Sequence, residues 1–194
     1  MKRVAAAAAL FLSLNCCARP QPSTDTVFVS NEGGYVTLVD GATGRIEGKL
    51  ATGPRPRGMA FSPDGKTIYV AASDANRIEA WDVHAHDRLA LYNSGSDPER
   101  FAVSPDGSTL YIASEDHSAV TFLDLKTNSI RREVKVGPEP EGVAVSPDGR
   151  LVVATSETAN LAHFIDTASG KKTKSEEFGY GDNEFVPWHL GATL

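Results

Sequence analysis

The sequence of 194 residues has few cysteines and no excess of basic charge. Its two cysteines are adjacent, at Cys16 and Cys17, so no disulfide can form in the remainder of the chain. The formal net charge of −6 argues against nucleic acid as a partner, because domains that bind phosphate backbones carry a basic face. Catalytic patterns are also missing: there is no Cys-x-x-Cys-His, no Ser-His-Asp spacing and no phosphate-binding glycine loop. The sequence therefore predicts no catalytic residue and no cofactor.

The N-terminus has the layout of an export signal. Lys2 and Arg3 precede an apolar run over residues 4–14, and small residues and prolines follow it. This run is too short to cross a membrane as a helix of the mature chain. Residues 1–18 are therefore predicted to be a signal peptide, and residues 19–26 a linker.

Two fates of this signal remain open. Cleavage after Ala18 removes both cysteines and gives a periplasmic or secreted protein with no membrane span in the mature chain. Processing as a lipoprotein instead attaches lipid to Cys16 or Cys17 and anchors the chain at the inner or outer membrane. An exported body without disulfides is consistent with a bacterial periplasm, where a large core replaces covalent links.

A motif of the form Gly-x-x-Pro-x-x-x-Ala-x-Ser-Pro-Asp-Gly occurs three times. Its copies begin at Gly53, Gly95 and Gly137, a step of 42 residues each time, with no residue inserted or lost. A period held this strictly indicates a structural repeat. The predicted repeats occupy residues 27–170.

Each copy of the motif ends in a Pro-Asp-Gly hairpin turn. Proline presets φ at the first turn position, aspartate bonds the backbone ahead of it, and glycine takes the left-handed position. This chemistry is structural. We therefore assign a structural role to the aspartate and glycine of each turn: Asp64, Gly65, Asp106, Gly107, Asp148 and Gly149.

Each period divides into four short apolar runs separated by turn residues, and no sustained helical period occurs outside the signal. The runs of one period are 58–62, 67–72, 78–83 and 88–92. Four short strands in a period of about 40–45 residues are typical of one β-propeller blade. We predict an all-β fold, a β-propeller of four-stranded blades with about three and a half blades present. A closed four-bladed ring and part of a larger ring both remain open.

The repeat breaks down after Gly170. Residues 171–194 lack the loop proline and the Ser-Pro-Asp-Gly core, so we treat them as a divergent tail. They are either a degenerate repeat, with residues 183–188 as the closing strand, or unrelated sequence after a frameshift or premature stop. The second explanation leaves half a ring, whose open blade edge favours self-association.

The rim opposite the Pro-Asp-Gly turns is the best candidate for a binding surface. The residues in the loops of this rim differ between copies, whereas the motif positions around them do not. The mouth of a propeller channel is also concave, as binding sites usually are. The candidate ligand- or partner-binding residues are Arg55, Arg57, Glu99, Arg100, Glu115, Glu139, Glu141 and Glu157. Ordinary solvated loop charge, with glutamate and arginine of adjacent blades paired, is the alternative interpretation.

The sequence does not identify a metal. The glutamates that could converge on a divalent cation at this mouth are Glu99, Glu115, Glu141 and Glu157, since oxygen ligands suit calcium or magnesium. His117 on the same rim and His163 on a predicted strand could ligate a metal or haem. No spacing brings these two histidines together.

Two segments of the repeats, YVAASDANRIEAWDV and YIASEDHSAVTFLDL, resemble the YVTN family of bacterial β-propeller repeats. A third, GPEPEGVAVSPDGRLVVATSETANLAHFIDTASG, is especially similar to the propeller proteins associated with alcohol catabolism that depends on pyrroloquinoline quinone (PQQ). The resemblance covers residues 25–170. It implies an exported protein with about seven blades, of which this chain supplies roughly the first half as a partial seven-bladed ring.

The resemblance also implies a function. That family carries no defined active site, so the leading hypothesis is a non-enzymatic binding or scaffold module beside a periplasmic quinoprotein dehydrogenase or cytochrome. Because related propellers include lactonases, a metal-dependent hydrolase acting on lactones at the channel mouth is the first alternative. The second alternative is a truncated fragment without function.

Overall fold

The computed structural model describes residues 25–177. The predicted signal peptide, most of the linker and residues 178–194 of the predicted tail lie outside this range. Within it, regular structure is β apart from a single 3-10 turn at Ser73–Ala75. Three four-stranded antiparallel sheets and one three-stranded sheet are formed. The prediction of an all-β propeller with four-stranded blades is confirmed. None of the helical segments in this range has the length and hydropathy to cross a bilayer.

The sheets follow one another along the chain as four blades. The first blade contains β1 (Thr26–Asn31), β2 (Tyr35–Asp40) and β3 (Ile46–Leu50). The second contains β4 (Pro56–Phe61), β5 (Thr67–Ala72), β6 (Arg77–Asp82) and β7 (Arg88–Asn93). The third contains β8 (Pro98–Val103), β9 (Thr109–Ser114), β10 (Ala119–Asp124) and β11 (Ser129–Lys135). The fourth contains β12 (Pro140–Val145), β13 (Leu151–Ser156), β14 (Leu161–Asp166) and β15 (Lys171–Glu177). Strand β15 lies beyond Gly170, where the predicted repeats end.

Innermost strands connect the blades. Strand β4 contacts β8, and β8 contacts β12, while β1 contacts β4. Within residues 25–177 no comparable contact joins the fourth blade to the first, so the described blades form an open, partial ring. Strand β1 occupies the position of a second strand, and its inner edge pairs with no described strand. Self-association through an open edge stays a prediction.

The innermost strands begin earlier than the sequence suggested. Strands β4, β8 and β12 start at the motif proline, which was predicted to lie in the preceding loop. Proline is tolerated as the first residue of a strand because no ladder hydrogen bond is lost there. The residue before each proline has a left-handed backbone, with φ of 49° at Arg55, 43° at Asp97 and 48° at Glu139. With this left-handed turn, each innermost strand begins at its proline, directly at the channel.

The hydrophobic core lies between blades. Tyr111 and Phe122 of the third blade pack edge to face, with ring centroids 4.8 Å apart. They share a buried cluster with Val143 and Val152 of the fourth blade. The strands β9 and β10, which have a blade on each side, are buried along their whole length, whereas every residue of the outer strand β15 is exposed.

The Ser-Pro-Asp-Gly turns have side-chain hydrogen bonds that explain their repetition. In the third blade the Ser104 hydroxyl donates to Asp106 Oδ1 at 2.6 Å, and the Ser108 backbone N–H donates to the same atom at 3.0 Å. These bonds, the one from Ser104 first, lower the pKa of Asp106. The following Gly107 has a φ of 70°, which glycine adopts without steric cost.

The first glycine of the motif permits a close approach between loop and strand. The Gly137 backbone N–H donates to Nε2 of His163 at 2.9 Å. A Cβ on Gly137 would collide with the Ser156 side chain, so no larger residue fits there without displacing β13. In the second blade Gly53 donates in the same way to the buried Glu79 carboxylate at 3.0 Å.

Candidate functional site

The candidate site is the channel mouth on the rim opposite the Ser-Pro-Asp-Gly turns. There, the loop that enters each innermost strand is bonded to the loop between the second and third strands of the same blade. In the third blade the Glu115 N–H donates to the Asp97 carbonyl at 3.1 Å, and in the fourth the Glu157 N–H donates to the Glu139 carbonyl at 2.9 Å. The repeated bond makes the rim a regular frame that carries different side chains.

A β-bulge in each innermost strand directs the second residue of that strand into the mouth. The pairing register shifts between Pro56 and Met59 in β4, and an equivalent shift occurs in β8 and β12. Bulges re-aim side chains and are common beside functional sites. The residues placed at the three bulges are Arg57, Glu99 and Glu141, which occupy equivalent positions 42 residues apart.

Glu99 is the centre of a network of charges. Its side chain is only 1% exposed, and Oε1 lies 3.0 Å from Nη2 of Arg55. Its Oε2 accepts a hydrogen bond from Nε of Arg57. The Arg57 guanidinium also contacts Glu32 at 3.0 Å and Glu141 at 3.9 Å. The pairing of arginine and glutamate between adjacent blades, left open by the sequence, is therefore present in the structure.

Carboxylates nevertheless outnumber arginines at the mouth. Carboxylate oxygens of Asp97, Glu99 and Glu115 all lie within 4.8 Å of one another. The pKa of Glu115 is raised to about 7, chiefly by burial and then by the charges of Glu99, Asp97 and Glu141. Burial and then the charge of Glu99 also raise the pKa of Glu141. The mouth thus holds negative charge that its own arginines do not neutralise.

The three clustered carboxylates have the composition of a cation site, but a guanidinium already lies among them. Arg55 contacts Asp97 and Glu99, each at 3.0 Å, and so engages two of the three. Of the four glutamates expected to converge on a divalent cation, only Glu99 and Glu115 belong to this cluster. The structure therefore supplies a carboxylate cluster paired with arginine in place of the predicted four-glutamate set.

A cavity of about 550 Å³ opens between the innermost strands of this rim. Its polar lining consists of Ser30, Glu32, Arg57, Glu99, Arg100 and Glu141. Four of the eight predicted rim residues thus line it, and two more, Arg55 and Glu115, belong to the adjoining charge network. Glu157 acts on this network only through space, by raising the pKa of Glu141, and Glu139 is exposed.

Sequence reasoning missed Glu32 as a site residue. It lies in the turn after β1, 42 residues before Asp74, which occupies the corresponding turn of the second blade. The repeat period could have identified it, since both turns belong to the same rim. Its carboxylate bonds to Nη1 of Arg57 and borders the cavity.

The two histidines considered as metal or haem ligands do not come together. His163 is buried, and both ring nitrogens are engaged: Nε2 accepts from Gly137 and Nδ1 lies 2.9 Å from the Ser175 hydroxyl. His117 is exposed, and its Nδ1 lies 2.9 Å from Glu133 Oε1. Because Nε2 accepts a hydrogen bond, the proton of neutral His163 is on Nδ1, and the residue holds blade and loop together.

Comparison with known proteins identifies the family to which this chain belongs. A family model described as "Lactonase, 7-bladed beta-propeller" matches residues 47–183, well over half of the chain. The chain belongs to this lactonase family of β-propellers. The match includes residues 171–183, which the sequence analysis assigned to a divergent tail. Seven blades in the family and the open arc of blades described above agree with a partial ring.

Solved structures give a consistent picture of the fold. One similar chain comes from "Kuenenia stuttgartiensis Hydrazine Synthase", with 29% sequence identity and a TM-score of 0.69. The alignment covers 79% of the present chain and 46% of that chain, so the propeller described here spans less than half of its length. Matches extend to 1240 chains of solved structures, so the fold alone does not indicate a function. No curated protein gives a significant sequence match.

Proposed function

We propose that this lactonase-family propeller is an exported binding or scaffold module whose mouth binds a positively charged group. The observation that carries the proposal is the surplus of carboxylates around Glu99, which, together with the larger effect of burial, raises the pKa of Glu115 to about 7. A cation that enters the mouth relieves this repulsion and favours the ionised form of Glu115. The arginines meanwhile hold Glu99 in place, which supports binding by a preformed surface.

The proposed partner is a protein with a basic surface. Similarity of residues 137–170 to proteins of PQQ-dependent catabolism supports a periplasmic quinoprotein dehydrogenase or a cytochrome in this role. An acidic mouth speeds association with a basic partner by electrostatic steering, and the effect weakens as salt is added. The export signal predicted over residues 1–18 would bring the chain to the compartment of such partners.

Capture from a periplasmic extract tests this proposal. The full chain is expected to retain a dehydrogenase or cytochrome at low salt and to release it as the salt concentration rises. The double variant Glu115→Gln/Glu141→Gln keeps the shapes of both side chains and should capture much less. Glu47→Gln, on the exposed outer strand β3, is the matched control and should behave as wild type. Equal capture by all three proteins, or capture of neither partner, would refute the proposal.

Hydrolysis of a lactone is the second candidate, favoured by the family to which the chain belongs. Glu141 lines the cavity with a raised pKa and lies 3.9 Å from Arg57. A carboxylate of this kind suits a general base toward water, and a guanidinium suits the carbonyl oxygen of a lactone. Lactone turnover by the full chain should disappear in Glu141→Gln. Turnover that survives Glu99→Ala, Glu141→Ala and chelation together would exclude both this mechanism and its metal-dependent version.

A further inference from the structure

A second polar groove lies on the opposite rim, between the third and fourth blades. Two cavities, of about 340 and 250 Å³, share Thr109, Tyr111 and Arg131 in their linings and form its two lobes. The smaller lobe is also lined by Arg132 and by Thr167. We call this smaller lobe the arginine groove.

The lining of the arginine groove favours an anion. It contains two guanidinium groups, a phenol and two threonine hydroxyls, but no carboxylate. The larger lobe differs, because Asp106 and Asp148 line it and repel negative charge. An anion that enters between these blades is therefore directed to the smaller lobe.

Arg132 supplies the main reason to expect a ligand. Its side chain lines the groove, and its Nη1 is buried against the backbone of Gly170 with no hydrogen-bond partner among the described residues. Arginine stays protonated in proteins, and a buried donor without an acceptor is costly, so such groups are rare. The neighbouring Arg131 is different, since its Nη2 pairs with the buried Asp124 carboxylate.

The arginine pair is a departure from the repeat. At the positions 42 residues earlier, the second blade carries Leu89 and Ala90, and it folds with the same bulged outer strand. Tyr111, in contrast, has its counterpart in Tyr69. The frame of the groove thus belongs to the propeller scaffold. A positive charge at the position of Arg132 recurs in the fourth blade as Lys174, but only the third of the described blades has the pair of arginines. Blade packing does not require them.

Tyr111 is positioned to assist. The side chain is only 6% exposed, and it lines both lobes. Its pKa is raised by burial and by the charge of Asp106, and lowered by Arg131, so the phenol lies within the field of both groups. As a neutral donor it can share an oxyanion with the Arg132 guanidinium.

We propose that the arginine groove binds a small oxyanion, a carboxylate or phosphate group, held chiefly by Arg132 and completed by Arg131, Tyr111 and Thr109. A guanidinium matches either group with two parallel hydrogen bonds. The volume of about 250 Å³ suits a small metabolite carrying one such group. The groove lies on the rim away from the acidic mouth, so this site is independent of the function proposed there.

Calorimetric titration of the full chain with inorganic phosphate and with acetate, at constant ionic strength, tests the proposal and separates the two anion classes. Arg132→Ala introduces the residue of the equivalent position in the second blade, so the fold has a precedent for it. It should raise the dissociation constant of the preferred anion tenfold or more. Arg45→Gln, in an exposed turn of the first blade, should leave it within twofold of wild type.

Saturation of wild type by neither anion, or equal affinity in wild type and Arg132→Ala, would overturn the proposal. A measurement on wild type alone guards against a variant that fails to fold. The melting temperature should rise when phosphate or acetate replaces chloride at equal ionic strength, because a ligand that binds only the folded state stabilises it. An unchanged melting temperature with both anions counts against the groove as a binding site.

Discussion

Arg55 and Asp97 occupy the same position in consecutive blades, and Nη1 of the arginine donates to the aspartate at 3.0 Å. Arg57 and Glu99, likewise 42 residues apart, form a second pair beside the first. A strict repeat places equivalent residues of neighbouring blades side by side around the channel. A change of charge from one copy to the next therefore becomes an ion pair between blades.

Removal of Arg57 should lower the free energy of unfolding, because the buried Glu99 carboxylate then loses one of its two arginine partners. We expect Arg57→Met to destabilise the chain by about 2 kcal/mol, because Arg55 alone is left to neutralise a carboxylate that is almost fully buried. Arg57→Met/Glu99→Gln should recover most of this loss. Urea denaturation of both variants, with the exposed Arg45→Met as control, measures the difference. A double variant no more stable than Arg57→Met would contradict this account.

Glu115 should make stability depend on pH. Its folded pKa of about 7 lies above the ordinary glutamate value of 4.5, so between these values the folded chain holds a proton that the unfolded chain has released. Stability attributable to Glu115 is therefore lost as pH rises through about 7. Glu115→Gln should gain about 1 kcal/mol over wild type at alkaline pH, after allowance for solvent screening. The same gain at pH 4 would contradict the assignment.

His163 should give a pH dependence of the opposite sign. Burial and then the charge of Lys172 lower its pKa below the ordinary histidine value of 6.5. The unfolded chain therefore binds a proton first, and stability is lost as pH falls below 6.5. His163→Gln should weaken this acid-side loss relative to wild type in thermal melts. His84→Gln, in an exposed turn, is the control; identical acid-side profiles for wild type and His163→Gln would refute the prediction.

The left-handed turn position at Gly107 should discriminate between substitutions. With φ of 70°, alanine there is strained and should cost about 1 kcal/mol. Asparagine tolerates left-handed backbone better, so Gly107→Asn should cost less than Gly107→Ala. Chemical denaturation of the two variants compares them. A larger loss with asparagine would mean that packing against Pro63, and not φ, governs this position.

Much of the fold could be predicted because the repeat can be recognised from short stretches of the sequence. The spacing of Gly53, Gly95 and Gly137 gave the blade period, and the Ser-Pro-Asp-Gly turns gave the hairpins. The starts of β4, β8 and β12 could not be predicted. A proline after a left-handed residue ends a loop and begins a strand at once, and only the tertiary frame selects this conformation.

The sequence by itself determined the architecture: its period, its turns and the rim on which varied charges are carried. Tertiary structure decided what those charges do. Bulges bring the side chains of Arg57, Glu99 and Glu141 close together. Burial then strengthens the electrostatic interactions between them, because charges interact strongly only where water is excluded. The same holds for Arg132, whose lack of a partner is visible only once the third and fourth blades pack together.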